Sequence, residues 1–403
     1  MLSDVSRCYL ELLKSVVTGV APTFESLPHL DEVFSCSKLH NTLALTWYAT
    51  SKCPELQNNE ALSKAKPQAV ASVIDQCQRT ESFLTVYNKL LKSGVKPLVL
   101  KGIVCRELYG KLRDYRPSGD EDLLVTVKDF YKVQSVLLSE GFIQLHHFEN
   151  EKELKKLQEI TFEQKETRLH LEVHINAIGI ENERHARLNR QFSSVFEHAV
   201  AVTVQKHTLY TLSPTDHLCY LFLHLYKHFC HHGVGVRQIL DVLLFLREYR
   251  GEIDFKRLET VIKESRTKDF WEDLLTIGNR YFGLQNKGAV DHHADELLED
   301  CLGSGSFGLR VSEERHFGNI LADLDLKPPK TKLRAAFLIG FPPPKIMYKM
   351  YPQLQNKKFL LPAFWLRRIF GFLHRYGPKG IRAGATGAGI GKKRSALQSK
   401  YEK

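Results

Sequence analysis

Asp120 and Asp122 stand two residues apart in the run Asp-Glu-Asp-Leu-Leu-Val125, whose apolar end reads as a β-strand. On a strand, residues two apart share a face, so the two carboxylates project together. Like charges that close disfavour each other's ionised form unless a cation bridges them. Oxygen ligands favour Mg²⁺ or Mn²⁺, ions that fill their shells with substrate phosphate. A third carboxylate, Glu172, shares one face of the alternating run Arg168–Asn176 with His170 and His174. If that strand neighbours the first, three carboxylates converge. Such a set suits two ions about 3.5–4 Å apart, activating an incoming hydroxyl and stabilising a leaving pyrophosphate. Upstream, Leu98-Val-Leu-Lys-Gly102 is a short strand ended by a glycine, where backbone can come close to a triphosphate.

Strands and helices must hold these groups in place. Residues 1–93 read as helical, with apolar stripes at Tyr9, Leu12, Leu13, Val16 and Val17 and again at Phe83, Val86, Tyr87, Leu90 and Leu91. Across residues 94–205 the period alternates. Strands are expected at Leu98–Leu100, Glu121–Val127, Gly141–His147 and Arg168–Asn176, with helices at 103–110 and Lys128–Glu140 and a polar loop at 111–119. That order argues for a small α+β domain with a mixed sheet. Residues 206–326 read as a second helical region. Its start at Ser213-Pro-Thr-Asp216 has a serine cap, proline in the first turn and an early acid. Helices follow at Val236–Glu248, Phe255–Glu264 and Phe270–Phe282. A basic amphipathic region (327–376) and a Gly/Lys/Arg/Ser-rich tail expected to be disordered (377–403) complete the chain.

At Leu100-Lys-Gly102, Tyr109, Arg116-Pro-Ser-Gly-Asp-Glu-Asp-Leu-Leu-Val125 and Leu171-Glu-Val-His174 the chain resembles the polymerase-beta-like nucleotidyltransferase superfamily, in its uncharacterised nucleotidyltransferase branch. Leu212-Ser-Pro-Thr-Asp216, His224, His228, Arg237, Asp241 and Phe341-Pro-Pro-Pro344 with Tyr351-Pro352 extend the likeness over roughly residues 85–375. The resemblance implies a Mg²⁺-dependent transferase that moves an NMP group from an NTP, with ATP the expected nucleotide, to an acceptor and releases pyrophosphate. It implies that Asp120, Asp122 and Glu172 are the catalytic, metal-holding carboxylates. Lys101 and Gly102, with Arg116, Ser118 and Gly119, would face the nucleotide phosphates; His228 and Arg237 would help hold nucleotide or acceptor. Two departures stand out: Lys101-Gly102 supplies no hydroxyl at the phosphate turn, and Glu121 fills a position the family keeps apolar. Glu121 is expected to point away from the metals and either to pair with a base such as Lys101 or Lys128 or to mark a weakened site.

The charge balance narrows the classes further. The net charge of +11 conceals a division, since residues 327–403 carry 18 Lys+Arg and one acid, and the remainder is mildly acidic. Such a tail seeks a polyanion. The aromatic and basic run 357–376 either caps the helical region, lies on an anionic membrane or, least favoured, grips nucleic acid. No apolar run reaches the roughly 18 residues of a membrane span. Asp4, Arg7 and Glu11 argue against a secretory signal, and eight scattered cysteines without a C-x-x-C pair argue against a disulfide frame. A cytoplasmic protein is expected, peripheral at a membrane if the 357–376 run binds one. His224, His228 and His231 share a helical face, either as zinc ligands or as a polar face turned toward the cleft. On the latter reading His228, Arg237 and Asp241 could help hold a nucleotide or acceptor, and Asp241 could equally pair with Arg237 one turn earlier. Gly303-Ser-Gly-Ser-Phe-Gly308 follows an acidic helix, not a strand, and Gly387–Lys392 lacks the anchors of a P-loop, so neither supports a nucleotide site. The acceptor stays open among sugar, peptide, protein and tRNA. Two other classes remain: a nucleotide-binding regulator that has lost catalysis, and a membrane- or RNA-binding adaptor acting through its tail.

Overall fold

The computed structural model describes residues 2–24, 29–180, 183–231, 233–305, 358–370 and 393–401, with 337, 341–344, 347, 348, 351 and 354. The chain divides into two compact units, Met1–Leu225 with Arg237–His292, and Tyr226–Val236 with His293–Lys403.

The first unit begins with four helices, α1 (Asp4–Thr18), α2 (Leu30–Leu39), α3 (Leu43–Ser51) and α4 (Glu60–Lys92). Ser3 caps α1 and Asn59 caps α4, each side-chain oxygen accepting an N–H of the first turn. Both expected stripes turn inward: Tyr9, Leu12 and Leu13 are buried, as are Phe83, Val86, Tyr87 and Leu90.

The sheet follows: β1 (Leu98–Val99), α5 (Ile103–Glu107), β2 (Glu121–Leu124), α6 (Val127–Ser139), β3 (Ile143–Gln144), α7 (Glu151–Leu154), β4 (Glu159–Gln164), β5 (Leu169–His174), α8 (Glu183–Arg190), β6 (Val200–Val204) and β7 (His207–Thr211). Its seven strands run in the order β3-β4-β5-β2-β1-β7-β6. β2 pairs parallel with β5 and antiparallel with β1, and β1 pairs parallel with β7, so the sheet is mixed and the α+β architecture holds. Val99, Leu123, Val125, Leu171, Val173, Ile160 and Phe162 share one core with Phe83, Tyr87 and Leu90 of α4 and Phe130, Val133 and Leu137 of α6. Each of those side chains leaves water almost completely; burying a large apolar side chain is worth about 1.5–3 kcal/mol, and this core holds the sheet rigid.

β4, β6 and β7 add to the strands read from sequence. The β6–β7 hairpin turns through Gln205 and Lys206, both at positive φ (47° and 71°). Side chains other than Gly and Asn are uncommon at such positions, so the usual turn signal is missing. Four helices continue the chain, α9 (Pro214–His231), α10 (Val236–Glu248), α11 (Phe255–Ser265) and α12 (Lys268–Phe282).

The second unit holds the end of α9 and α13 (Ala294–Ser304), which carries the acids that disqualify the Gly303–Gly308 pattern. A 3₁₀ turn at Lys358–Leu360 leads into a helix at 361–370, on which Leu366 and Phe370 are exposed. The tail departs from expectation where it is described: residues 393–401 are helical. Arg394 is buried, donating from Nη2 to the Phe229 carbonyl at 2.8 Å, and Gln398 Nε2 donates to the Cys230 carbonyl at 2.7 Å. The last carbonyls of a helix lack intrahelical partners. Side chains of the basic tail satisfy those of α9, which is why this piece folds. The Gly387–Lys392 pattern lies outside the described residues. All eight cysteines are free, four of them buried. Among the described residues, no helix is long and apolar enough to cross a membrane.

Candidate metal and nucleotide site

The site is set by the register of two parallel strands. Asp122 on β2 lies opposite Glu172 on β5, so their carboxylates meet on one face of the sheet. Asp120 immediately precedes β2. A backbone pairing that spans fifty residues of sequence thus brings Asp122 and Glu172 together, whereas Asp120 is not among the residues whose ligand atoms cluster with theirs.

Lys101 takes an unexpected position. Its ammonium lies 3.0 Å from Asp120 Oδ2 and 3.2 Å from Asp122 Oδ1, with 14% of the side chain exposed. Burial alone would lower the Lys101 pKa, but Asp120, Asp122 and Glu172 raise it well above the ordinary value, so the ammonium is charged. The residues on either side are pinned. The Leu100 N–H donates to the Asp122 carbonyl at 2.9 Å, and the Leu100 carbonyl accepts from His217 Nε2 at 2.5 Å.

His174, two residues beyond Glu172, is fully buried with Nε2 3.0 Å from Asp122 Oδ1, 3.6 Å from Glu159 Oε2 and 3.8 Å from Glu172 Oε2. Burial would make it shed its proton, but hydrogen bonds to Asp122 and Glu172 raise its pKa to about 10. Burial likewise drives the Asp122 carboxyl upward against the pull of Lys101, with Asp120 and Glu172 adding to the rise. For Glu172 burial is outweighed by the His174 hydrogen bond and the Lys101 charge, and its carboxyl sits well below the usual range. Carboxyl groups and cations are thus packed together where water is excluded.

Three buried polar atoms here have no hydrogen-bond partner: Asp122 Oδ2, His174 Nδ1 and the Tyr220 hydroxyl. Buried polar groups are almost always satisfied, and exceptions call for an explanation such as an ion or ligand. Asp122, Glu172 and His174 each offer a ligand atom, all within 4.8 Å of one another. The residues fit a small divalent cation. Asp122 Oδ2 and Glu172 would hold it, and carboxylate oxygens match Mg²⁺ or Mn²⁺. Hydrogen-bonded to Asp122, His174 orients that ligand.

Glu121 points to the opposite face, as alternation requires, but its partner is neither Lys101 nor Lys128. Arg106 Nη1 donates to Glu121 Oε1 at 2.7 Å, and the Ile103 N–H donates to Oε2 at 2.7 Å. Arg106 and Glu121 are both buried. Gly102 sits above this carboxylate at φ 66°, ψ −112°, and a Cβ there would come within 2.0 Å of Glu121 Oε2. The close approach that Gly102 permits is therefore to a carboxylate of its own chain. Glu121 therefore braces the Lys101-Gly102 turn through Arg106, Ile103 and Gly102.

The loop before β2 is held from three sides. Arg116 donates to both carboxylate oxygens of Asp241 and, at 2.6 Å, to Ser118 Oγ. The Ser118 N–H donates to Gln76 Oε1 at 2.7 Å. Arg237 donates to the Pro117 carbonyl. Asp241 accepts from Tyr109 at 3.0 Å as well, so its partners are Arg116 and Tyr109, not Arg237 as the helical spacing suggested. Gly119 links this loop to Asp120, its carbonyl accepting a long hydrogen bond of 3.5 Å from Arg79. Arg237 is buried, and its Nε has no hydrogen-bond partner; burial and the neighbouring Arg116 lower its pKa to about 10. Such a cation is poised for an anion.

The histidine face of α9 divides. His224 stacks obliquely on Tyr220, with ring centroids 5.5 Å apart, whereas His228 and His231 belong to the second unit. Among the described residues, the groups able to hold an ion are Asp122/Glu172/His174 and the more exposed Asp269/Glu272/His292; the three α9 histidines belong to neither. Sequence reasoning gave no role to Arg106, His174, His217 or Tyr220. His174 shared the face of Glu172 and was the one within reach, but no local pattern announces that Arg106 or Tyr220 would arrive at this sheet.

Neither the curated proteins nor the solved structures provide a match to the chain. The family model described as uncharacterised nucleotidyltransferase matches residues 28–283, a stretch that contains the sheet, the Asp120–Asp122 run, Glu172 and the helices through α12. With the match covering well over half its length, the chain belongs to the uncharacterised nucleotidyltransferase family.

Proposed function

We propose that the protein transfers an NMP group from an NTP, with ATP the expected nucleotide, to an acceptor hydroxyl or phosphate, with Mg²⁺ or Mn²⁺ bound at Asp122 and Glu172. The observation that carries this reading is the unpartnered Oδ2 of buried Asp122 lying in register with Glu172. A divalent ion bound there would lower the pKa of a coordinated hydroxyl and screen charge on the phosphate. Lys101 would neutralise phosphate charge beside Asp120, and Arg237 would take a phosphate oxygen with its unsatisfied Nε. Arg116, Ser118 and Gly119 keep the loop in shape, chiefly through Asp241 and Gln76, so that Asp120 arrives in position. Catalysis of this kind is positioning and charge neutralisation, with little covalent work for the protein. The acceptor could be a sugar, a peptide, a protein or a tRNA. The exposed Phe359, Leu366 and Phe370 beside Arg367 and Arg368 support an anionic membrane surface as a further partner.

A second reading draws on the position of Lys101 between the two aspartates: a regulator that binds nucleotide without turning it over. A thermal-shift panel of the four NTPs, with and without Mg²⁺, on wild type and on Asp120→Asn/Asp122→Asn tests both. Ligand at a hundred times its Kd stabilises a fold by about 2.7 kcal/mol. A Mg²⁺-dependent shift lost in the double variant supports the site. If acceptor screening with labelled NTP then shows no transfer, the regulator reading gains. No shift with any NTP overturns both and favours an adaptor acting through the basic tail.

A further inference from the structure

Resting on the reading just given, we infer that Lys101 is a built-in replacement for a second metal ion, so that the site binds one divalent cation, at Asp122 and Glu172, rather than a pair. Two ions 3.5–4 Å apart need a carboxylate that bridges them, one oxygen to each. Asp122 lies between Asp120 and Glu172 and is the group placed to bridge. Its Oδ1 is already committed, 3.2 Å from the Lys101 ammonium and 3.0 Å from His174 Nε2, and only Oδ2 is unpartnered. Asp120, the other carboxylate a second ion would need, gives its Oδ2 to Lys101 at 3.0 Å. Asp120 is also absent from the group of residues whose ligand atoms cluster within 4.8 Å.

The backbone keeps Lys101 there. Leu100 is hydrogen-bonded on both its N–H and its carbonyl, and Gly102 is locked above the Glu121 carboxylate. The lysine stem therefore starts from a fixed point at the floor of the site. Its ammonium sits at ordinary hydrogen-bond distance from both aspartates, where an ion at about 2.1 Å from each oxygen would collide with it. Lysine is a point charge with three donors; two are used on the aspartates, and the third can reach a phosphate oxygen. A triphosphate would thus meet a fixed ammonium where paired-ion sites present a second metal.

Counting bound Mn²⁺ on the full chain tests this, by electron paramagnetic resonance of the free ion during titration, alone and with saturating α,β-methylene-ATP. Wild type is expected to bind one Mn²⁺ at this site, lost in Asp122→Asn, with no Mn–Mn coupling in either condition. Lys101→Met should bind two in the presence of the nucleotide, with the line broadening of a coupled pair, while Lys101→Arg should keep one. Two coupled ions in wild type, or an unchanged single ion in a folded Lys101→Met, overturns the inference and leaves the nucleotidyltransferase reading standing. No Asp122-dependent Mn²⁺ in wild type overturns both. The wild-type count decides the matter even if Lys101→Met does not fold.

Discussion

Two buried carboxylates stand side by side on β2 and have opposite fates. Glu121 faces the core that α4 and α6 share with the sheet. It is met there by the Arg106 guanidinium and the Ile103 N–H, both at 2.7 Å. Asp122 faces the other way, crowded by Asp120 and Glu172, with one oxygen shared by Lys101 and His174 and the other unpartnered. A satisfied buried charge holds a fold in place. An incompletely satisfied one is tolerated only where something else completes it. The difference separates architecture from chemistry within two adjacent residues.

The sharpest way to break this comparison is to neutralise each carboxylate in turn. Glu121→Gln strands Arg106 as a buried, poorly paired cation and should destabilise the first unit by about 3–5 kcal/mol in urea denaturation. A loss under about 1 kcal/mol would show that Glu121 is not the brace. Asp122→Asn should do the reverse, changing stability little while cutting NMP transfer by on the order of 10³-fold, about 4 kcal/mol of transition-state stabilisation. Transfer that survives Asp122→Asn would end the metal-site reading.

Gly102→Ala tests the brace from the other side. Its Cβ would collide with Glu121 Oε2 in a backbone region glycine alone adopts readily, and a cost of about 3 kcal/mol is expected by thermal and urea unfolding. Alanine tolerated without loss would mean that Glu121 can move aside.

The smallest effect is pH-dependent. His217 lies beneath the site, donating to the Leu100 carbonyl, and burial lowers its pKa from 6.5 to about 4. Between those values the unfolded chain takes up a proton that the folded imidazole refuses. The stability His217 contributes is therefore intact above pH 6.5 and falls as the pH drops toward 4, by about 2 kcal/mol at pH 5. His217→Gln should remove that part of the acid slope between pH 7 and 5. An unchanged slope would show that His217 is not held neutral.

Much of this was legible along the chain. The stripes of α1 and α4, the Ser213–Asp216 start of α9, and the alternation of β5 appear because helix and strand periods are local properties. The strand position of Asp122 and the face shared by Glu172 and His174 follow from the same two-residue period. Elsewhere local pattern was insufficient. The β6–β7 hairpin turns on Gln205 and Lys206, which carry no glycine signal. Asp241 was sought near Arg237 on its own helix, but Arg116 and Tyr109 reach it from across the fold. The helix at 393–401 forms because carbonyls at the end of α9 need donors, a demand that composition does not record.

The sequence by itself determined which residues could do chemistry, and that strands of a mixed sheet would present Asp122 and Glu172. Those are consequences of side-chain type and backbone period. Only the tertiary structure decided that Asp122 lies in register with Glu172, that Arg106 rather than Lys101 neutralises Glu121, and that Lys101 is thereby left to sit between the aspartates. Each of those outcomes depends on which charges meet after distant segments pack, because a buried charge takes the partner that geometry brings to it.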